Sequence, residues 1–367
     1  MRTPPPAPAE SPNVPDRRRW TLGLLLAVLG VGVLFSPLLG TVAIAPETVL
    51  KILFHQATGG SLWSDPCAGA SVPASGCSGL IEIVWDARLS EVMLAVVVGA
   101  ALGISGGTLQ GVFRNPLADP FLLGLSSGGT LGAAIVVVFR VGVGEQNLFL
   151  PLFAFVGAVA TGGVVLAAAR SRFGSVETLL LTGVALSSFL SSILSLLLLY
   201  NPTGSLQVDQ WLLGNLGTLD WTQDGIAFGI VLVAGTLLAT HGRELNLLQL
   251  GPDVAQSLGV DARKVRVRLL LLASITTAGA VAFTGIIGFV GLVSPHIVRR
   301  VAGTDYRLVL PGAALVGGGF LLAARDLSLL AFPGTLLPIG IFTSFAGAPF
   351  FAYLLYRRRR TVTMGGI

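Results

Sequence analysis

The sequence predicts an all-α, polytopic membrane protein with ten transmembrane helices, some of them short or broken. Of its 367 residues, 53% are hydrophobic and only 11% are charged, and the mean hydropathy is +0.82. A soluble domain carries about a quarter charged residues, so lipid must solvate most of this chain. The 48 glycines suit a helical bundle, because small residues let membrane helices approach one another closely.

Ten apolar runs follow one another along the chain, and most reach the roughly 20 residues that a bilayer core requires. If the amino terminus is cytoplasmic, 19 of the 23 lysines and arginines lie inside and 4 lie outside. This positive-inside bias predicts a protein of the cytoplasmic (inner) membrane with both termini in the cytoplasm. The predicted spans are residues 20–40, 92–113, 121–140, 148–169, 176–199, 225–241, 267–285, 286–298, 309–324 and 337–356.

Residues 267–298 form an apolar stretch that is too long for a single crossing. As one helix it would measure about 48 Å, yet basic clusters flank both of its ends. The chain must therefore cross twice or turn back within the membrane. Gly285, Gly288 and Gly291 supply the places to bend, so two short, tightly turned spans are expected.

The spans define a single membrane domain over residues 20–360. Residues 1–19 are rich in proline and polar residues, which predicts a disordered cytoplasmic tail. Residues 361–367 are expected to form a cytoplasmic tail at the other end. A cleaved signal peptide is the alternative for the first span, but the apolar run exceeds the usual core of roughly 7–15 residues. The long connections are an external loop at 41–87 and a cytoplasmic loop at 243–266.

Little in the chain suggests an enzyme. A phosphate-binding P-loop needs a Gly-Lys-Ser/Thr core, but Lys51 and Lys264 are the only lysines and neither follows a glycine. The three histidines lack metal-ligand spacing, so no catalytic residue, metal or cofactor is expected. All 18 acidic residues lie in tails, loops or span ends. A proton-driven pump is therefore disfavoured, and the net positive charge reflects topology, not a nucleic-acid partner.

The hexapeptide NPLADP, residues 115–120, interrupts the chain after the second span. Pro116 and Pro120 stop the helix and prevent its immediate restart. Asn115 and Asp119 can accept the backbone N–H groups that are left free at the break. From the residues alone, a simple helix-breaking turn and a functional motif are equally open.

Four long blocks of sequence carry a more specific signal. They are GGTLQGVFRNPLADPFLLGLSSGGTLGAA (106–134), LNLLQLGPDVAQSLGV (245–260), TGIIGFVGLVSPHIVRRVAGTDYRLVLPG (284–312) and LPIGIFTSFAGAPFF (337–351). Together they resemble the iron-chelate and cobalamin uptake permeases, the membrane subunits of type II ABC importers. The resemblance implies ten spans per subunit, a homodimer around a central pathway, two cytoplasmic ABC ATPase subunits and an external substrate-binding protein.

The resemblance places the first and third blocks at the cytoplasmic side, near the surface that faces the ATPase. It implies a structural and gating role there, not contact with the cargo. For the histidine in this set, the alternative is a helix-end side chain that bonds a carbonyl. The residues concerned are Asn115, Pro116, Asp119, Pro120, Pro295 and His296.

The cytoplasmic stretch 251–259, GPDVAQSLG, is predicted to be the coupling helix that meets the ATPase. Gly251 can serve as N-cap and Pro252 fits the first helical position, while Gly259 can end the helix in a left-handed cap. Without the resemblance, an amphipathic linker lying on lipid would be preferred. The residues assigned to coupling are Leu250, Gly251, Pro252, Asp253, Val254, Ala255, Leu258 and Gly259.

The fifth span carries hydroxyl side chains on an otherwise apolar helix. These could line a passage or bond between helices, as serine commonly does in membranes. The resemblance favours a pathway-lining helix. The candidates are Thr182, Ser187, Ser188 and Ser191.

The outer side departs from the family pattern. Relatives carry Arg-Leu-Pro-Arg at the start of the second span, whereas this chain reads RLSE from Arg88, and Asp326 lacks the arginine that usually follows four residues later. External arginines dock the binding protein in the family, so the resemblance assigns docking to Arg88, with Arg325 as a substitute.

The external loop contains both cysteines of the chain, Cys67 and Cys77. Because an external compartment is oxidising, the pair is a candidate disulfide. The alternative is two unrelated small residues in a flexible loop.

We expect a permease subunit that moves an iron(III)-siderophore complex inward, driven by ATP hydrolysis in a separate subunit. Haem and cobalamin are the alternatives, since nothing in the spans identifies a ligand. A secondary transporter working without an ATPase would need intramembrane charges or ion-coordinating broken helices, and those charges are missing. A membrane scaffold would not need the serine-rich fifth span.

Overall fold

The computed structural model describes residues 14–61, 65–67, 76–142, 146–169, 176–216, 221–331 and 337–364, and every regular element within these ranges is a helix. The helices are α1 (Val14–Phe35), α2 (Pro46–Ala57), α3 (Cys77–Ile81), α4 (Ser90–Val112), α5 (Leu125–Phe139), α6 (Gln146–Ala169), α7 (Val176–Tyr200), α8 (Pro202–Leu212), α9 (Trp221–Thr240), α10 (Gly242–Gln249), α11 (Pro252–Ser257), α12 (Ala262–Thr284), α13 (Val290–Val301), α14 (Tyr306–Ala331) and α15 (Ile339–Met364).

Each of the ten predicted spans coincides with one of these helices. By length and composition, seven helices in the described part can cross a membrane: α1, α4 with the turns before it, α6, α7, α9, α12 and α14. The apolar parts of α5 and α15 are shorter, and α13 has 12 residues, or about 18 Å. The predicted mixture of full-length and short spans is therefore present.

The predicted tails are shorter than expected. Helix α1 already begins at Val14, so residues 14–19 are helical, and α15 continues to Met364. The remaining residues of both predicted tails, 1–13 and 365–367, lie outside the described part of the chain.

Helix α4 lies at the centre of the bundle and is buried along most of its length. It packs against α14, α12, α13 and α9. Glycine permits these contacts: a Cβ atom on Gly99 would lie 2.3 Å from the Gly317 carbonyl oxygen, and one on Gly103 would lie 2.1 Å from that of Ala313. Backbone thus meets backbone between α4 and α14, as small residues allow in membrane bundles.

The apolar stretch 267–298 bends where the sequence predicts. Helix α12 ends at Thr284, residues 285–289 are not helical, and α13 starts at Val290. Gly285 has a φ of +72° and Phe289 a φ of +67°. A positive φ costs a residue with a side chain more than it costs glycine, so Gly285 suits the first turn of this break.

Four helices in the predicted connections were not anticipated, namely α2, α3, α8 and α10. Helix α2 folds within the external loop and buries Val49 and Ile52 against neighbouring apolar residues. Helix α8 follows α7. The residues after α8 form hydrogen bonds near the break between α12 and α13. The Asn215 N–H donates to the Thr284 carbonyl at 2.8 Å, and the Ile339 N–H donates to the Gly214 carbonyl at 3.0 Å. These bonds join the ends of α8 and α12 to the start of α15.

The helices on the outside of the bundle carry large exposed apolar surfaces. Only 11% of the apolar window in α1 and 11% of that in α7 are buried. Such faces require lipid or another apolar surface to cover them.

Candidate functional site

The loop at 243–266, predicted to be cytoplasmic, folds into two short helices at one end of the bundle, which is called the inner end on the predicted topology. Helix α10 buries Leu245 and Leu248 and packs against α14, α4 and α9. Helix α11 follows after Gly251, whose φ is +113°, with Pro252 at its first position. The chain leaves it through Gly259, whose φ is +82°. The predicted helix and its start and end signals are present in the structure.

Helix α11 turns one side inward and an apolar side outward. Ala255 is fully buried, and its carbonyl accepts a hydrogen bond from Val260 N–H at 2.9 Å. Leu250, Val254 and Leu258 are 61%, 43% and 55% exposed. Ala255 therefore anchors the helix and cannot contact a partner, which corrects its assignment to the coupling surface. The three exposed side chains are available for one.

A groove of about 510 Å³ runs beside α11. Pro252 and Gln256 form one wall, and the start of α12 forms the other. Asp261 caps α12 by accepting from the N–H groups of Arg263 and Lys264, at 3.1 and 3.0 Å. The bond from the Lys264 N–H, with the salt bridge from its side chain, holds the pKa of Asp261 below its usual value. The groove thus has a rigid, charged wall.

The hexapeptide forms the capped break that its residues predict. Asn115 Oδ1 accepts from Leu117 N–H at 3.0 Å, and Asp119 Oδ1 accepts from Phe121 N–H at 2.9 Å. Pro120 is buried and starts a short 3-10 turn. Pro116 is exposed. Partial burial of the Asp119 carboxyl group raises its pKa to about 6. The hydrogen bond from Phe121 N–H has a smaller, opposing effect on this pKa.

The NPLADP stretch (115–120) and the stretch that contains Pro295 and His296 contact each other in the structure, although about 170 residues separate them in the sequence. We call these two the signature stretches. A Cβ atom on Gly291 would lie 3.0 Å from Pro120 Cδ, and one on Gly107 would lie 3.6 Å from Pro295 Cγ. His296 is half-buried and packs edge-on against Phe350 of α15, with ring centroids 5.8 Å apart. Of the residues predicted to gate, Pro120 therefore contacts α13, Pro295 contacts α4 and His296 contacts α15.

The hydroxyl groups of α7 mostly satisfy their own helix. Thr182 and Ser188 donate to carbonyls one turn earlier at 2.7 and 3.0 Å, and Ser192 and Ser195 do the same. Ser188 and Ser191 are exposed on this chain, whereas Thr182 and Ser187 are half-buried. The exposed serines give α7 a mildly polar stripe with no charge.

The docking role expected of Arg88 does not fit its position. Arg88 is 4% exposed. Its guanidinium donates to the Pro37 carbonyl at 3.1 Å and to the Val42 carbonyl. Burial and these internal bonds keep its charge away from any external protein.

Arg325 is also used internally. It is 3% exposed and pairs with Glu91 at 2.9 Å and Asp326 at 3.1 Å. Its guanidinium also donates to Ser36, whose hydroxyl donates to Asp326 at 2.6 Å. The two arginines therefore join α1, α4 and α14 at the outer end, and their assignment to docking was wrong.

The structure joins Cys67 and Cys77 in a disulfide, with Cα atoms 5.8 Å apart. Within the described residues, the one group of three acidic, cysteine or histidine side chains close enough to share an ion is Asp65 with these two cysteines. Both sulfur atoms are committed to the disulfide. Residues 68–75 of the same loop lie outside the described part.

A polar network at the inner end of the bundle was missed by sequence reasoning. Gln110 of α4 donates to the Gly291 carbonyl at 3.1 Å and accepts from Arg299 Nη1 at 2.6 Å. Gln249 of α10 donates to the Gly111 carbonyl at 2.8 Å, and Asn246 Oδ1 accepts from Tyr306 N–H at 2.9 Å. The available signal was a set of amide side chains within otherwise apolar blocks. This network ties the coupling segment to α4, α13 and α14.

The sequence matches the family model described as the FecCD transport family over residues 26–357. It is 36% identical to the hemin transport system permease protein of Yersinia pestis over 348 residues, which cover 93% of this chain and 96% of that protein. It is 39% identical to the cobalamin import system permease protein of Halobacterium salinarum over 356 residues, with 91% and 94% covered.

The fold is similar to a solved structure of an ABC transporter described as of the metal-chelate type, in an inward-facing conformation. The TM-score is 0.77 at 27% sequence identity, and the match covers 92% of this chain and 99% of the other. The helices described above are therefore arranged as in an importer permease.

Proposed function

Because the chain belongs to the FecCD transport family and is the permease subunit of a type II ABC importer, we propose that it carries a metal chelate inward through a homodimer driven by a separate ATPase. The observation that carries this proposal is the outward apolar side of α11. Val254 on this helix, and Leu250 and Leu258 just before and after it, are exposed, while the buried Ala255 anchors the helix. An ATPase groove would remove these side chains from water, which favours association.

The route for ATP-driven motion follows from the contacts of this segment. Helix α11 is joined through α10 to the amide network, and the network reaches the Gly291 carbonyl just after the break between α12 and α13. A displacement of α11 would therefore be transmitted to the signature stretches. This supports the gating role expected of Asn115, Pro116, Asp119, Pro120, Pro295 and His296.

The side chains expected to line the pathway suit the passage of an intact metal chelate. The exposed serines of α7 are neutral and largely bonded to their own helix. Such a surface offers weak hydrogen bonds and no strong competing metal ligand. A second copy of the chain across this face would enclose the pathway, and that supports the homodimer.

The cargo class follows from the named relatives. One is a hemin permease and one a cobalamin permease, so a tetrapyrrole chelate, haem or a corrinoid, is supported more directly than the iron(III)-siderophore expected from the sequence. Both classes are bulky metal–organic complexes that a weakly polar pathway can pass.

The test is reconstitution of the permease in lipid vesicles with its cognate ATPase and substrate-binding protein. We expect haem, cobalamin or a ferric siderophore to accumulate only when ATP is present on the ATPase side. A hydrolysis-deficient ATPase is the control. Accumulation without any ATPase would overturn the proposal in favour of a secondary transporter.

The coupling surface is tested by Leu258→Arg, which would place a charge in a desolvated contact. We expect uptake to fall at least about tenfold, with normal folding of the permease. Val301→Arg is the matched control, since Val301 is 55% exposed at the end of α13 and lies outside α11. Equal loss in both variants would show that added charge, not the α11 contact, is responsible.

A further inference from the structure

A cavity of about 530 Å³ opens at the inner end of the bundle, separate from the groove beside α11. It lies where α4 ends and α14 begins, and its lining includes Gln110, Arg114, Asn246, Arg299 and Tyr306. Gln110 and Tyr306 are buried and form its inner part, whereas Arg114 is exposed at its rim. Its volume falls within the roughly 300–1,000 Å³ of small-ligand sites.

The guanidinium of Arg299 is held in place by neutral groups. Nη1 donates to Gln110 Oε1 at 2.6 Å, Nη2 to the Tyr306 hydroxyl at 3.4 Å, and the group lies over the Tyr306 ring, 5.7 Å from its centroid. These contacts fix the geometry without neutralising the charge. A guanidinium has five N–H donors, so donors beyond these two bonds remain for a ligand.

Arg114 supplies the second positive charge of the cavity. In the described part of the chain, no carboxylate lies within 4.0 Å of the guanidinium of Arg114 or Arg299, since the ion pairs found there involve other residues. Asp305 lines the cavity, but it accepts from Asn246 Nδ2 at 2.6 Å and from Arg307 N–H at 3.0 Å. The cavity lining thus carries two arginines and one carboxylate, a net formal charge of +1.

We propose that this cavity binds a phosphate group, with Arg114 and Arg299 as its ligands. Arginine binds phosphate through paired N–H donors. The site lies where the inner helix ends meet the basic side of the protein, and basic pockets at this level of membrane proteins bind anionic lipid headgroups. The phosphate can belong to a phospholipid headgroup or be free in solution, and the two sources share this chemistry.

The test uses the full-length permease without its ATPase or binding protein, so that the proposed transport function plays no part in the outcome. Lipid retention is measured by native mass spectrometry after exchange into phosphatidylcholine with or without phosphatidylglycerol. Thermal stability is measured in neutral detergent with and without inorganic phosphate. The variants are Arg114→Gln and Arg299→Gln.

We expect wild type to retain phosphatidylglycerol selectively, or to be stabilised by inorganic phosphate, with half-saturation about tenfold weaker in either variant. The first result identifies a lipid and the second a soluble phosphate. Arg114→Lys should restore part of the effect, because it keeps the charge. Arg114→Gln also separates binding from folding, since Arg114 is exposed and none of its contacts is to a carboxylate.

Arg300→Gln is the matched control, because Arg300 is the exposed neighbour of Arg299 and does not line the cavity. An equal loss in this variant would mean diffuse surface charge and would overturn the proposal. So would the absence of both phosphatidylglycerol selectivity and phosphate stabilisation in wild type. Unchanged phosphatidylglycerol retention and phosphate stabilisation in both Arg114→Gln and Arg299→Gln would show that these arginines are not the ligands.

Discussion

At the residue scale, the sequence predicted that Arg88 and Arg325 lie at the outer end of the bundle, but it did not predict that both side chains are buried there. Arg88 bonds to carbonyls 51 and 46 residues away, at Pro37 and Val42. The residues next to Arg88 in the sequence do not predict these hydrogen-bond partners. Because few basic residues lie outside, Arg88 was expected to be a surface charge used for docking. The same small number of external basic residues is compatible with two buried arginines that close the outer end of the bundle.

The ion-pair cluster gives the first prediction. Arg325→Gln would leave Glu91 and Asp326 close together without their cation, and breaking such a buried pair costs about 3 kcal/mol. Thermal unfolding in detergent measures the loss. The double variant Glu91→Gln with Arg325→Gln should lose less than the sum of the two single changes. Lys51→Gln is the control, since its partner Glu47 is largely exposed and such pairs contribute at most about 1 kcal/mol. Additive losses would mean that the pair is not coupled.

Asp119 gives a prediction on pH dependence. Its pKa in the folded protein is about 6, above the ordinary value of 3.8 for an aspartate, so the folded state holds the proton more tightly than the unfolded state. Its contribution to stability is therefore complete below about pH 4 and is lost as the pH rises through about 6. Asp119→Asn can still accept from Phe121 N–H but removes the desolvated charge.

We expect Asp119→Asn to be more stable than wild type at neutral pH by about 1–3 kcal/mol and to lose this part of the pH dependence. The measurement is thermal unfolding between about pH 4 and pH 7. Asp253→Asn, at an exposed position, is the control. Parallel curves for wild type and Asp119→Asn would contradict the prediction.

At the element scale, the break between α12 and α13 depends on one glycine. A Cβ atom on Gly285 would lie 1.9 Å from the Trp211 carbonyl oxygen, in addition to the strain of its positive φ. Gly285→Ala should cost more than about 3 kcal/mol and lower the yield of folded protein. Size-exclusion profiles and thermal unfolding report it. Gly288→Ala is the matched control, because nothing lies within 4 Å of its Cβ position. Equal behaviour of the two variants would contradict the described junction.

The external disulfide gives a prediction of local effect. Ten residues separate Cys67 from Cys77, and closing a loop of this size contributes roughly 2–3 kcal/mol. Mass spectrometry of the unreduced protein should find the pair oxidised, and Cys67→Ser with Cys77→Ser should raise hydrogen exchange in residues 46–57. Exchange in α4 should not change. Two free thiols in oxidised membranes would refute the pairing.

The elements that the sequence predicted are specified by residues within them or next to them. Gly251, Pro252 and Gly259 specify the limits of α11 by their own backbone preferences, and Asn115 and Asp119 cap a break two residues away. Helices α2 and α8 were missed because distant contacts stabilise them. The hydrogen bond from Asn215 N–H to the Thr284 carbonyl, for example, cannot be read from either segment alone.

The candidate site divides in the same way. The exposed side of α11 followed from its sequence, except for Ala255, whose burial depends on how the helix lies on the bundle. The amide network was not predicted, because Gln110 and Arg299 are 189 residues apart and become neighbours only when α4 and α13 cross.

At the scale of the whole molecule, the membrane orientation gives a prediction on topology. The distribution of 19 basic residues inside and 4 outside predicts that both termini and the loop at 243–266 lie in the cytoplasm. Fluorescent protein fused to the carboxyl terminus should fold and fluoresce, whereas alkaline phosphatase inserted after residue 60 should be active. The phosphatase inserted after residue 250 is the control and should be inactive. The reverse pattern would invert the topology and move α11 away from any ATPase.

The backbone contacts between α4 and α14 determine which parts of the molecule can serve as a fixed reference during transport. No side chain stands between Gly99 and Gly317 that could change rotamer and absorb a displacement. The two helices therefore share the six degrees of freedom of one rigid body. Spin labels placed on α4 and α14 should report one unchanged distance in every nucleotide state. Labels on α4 and α7 should report a distribution that shifts, since α7 is little buried by its neighbours.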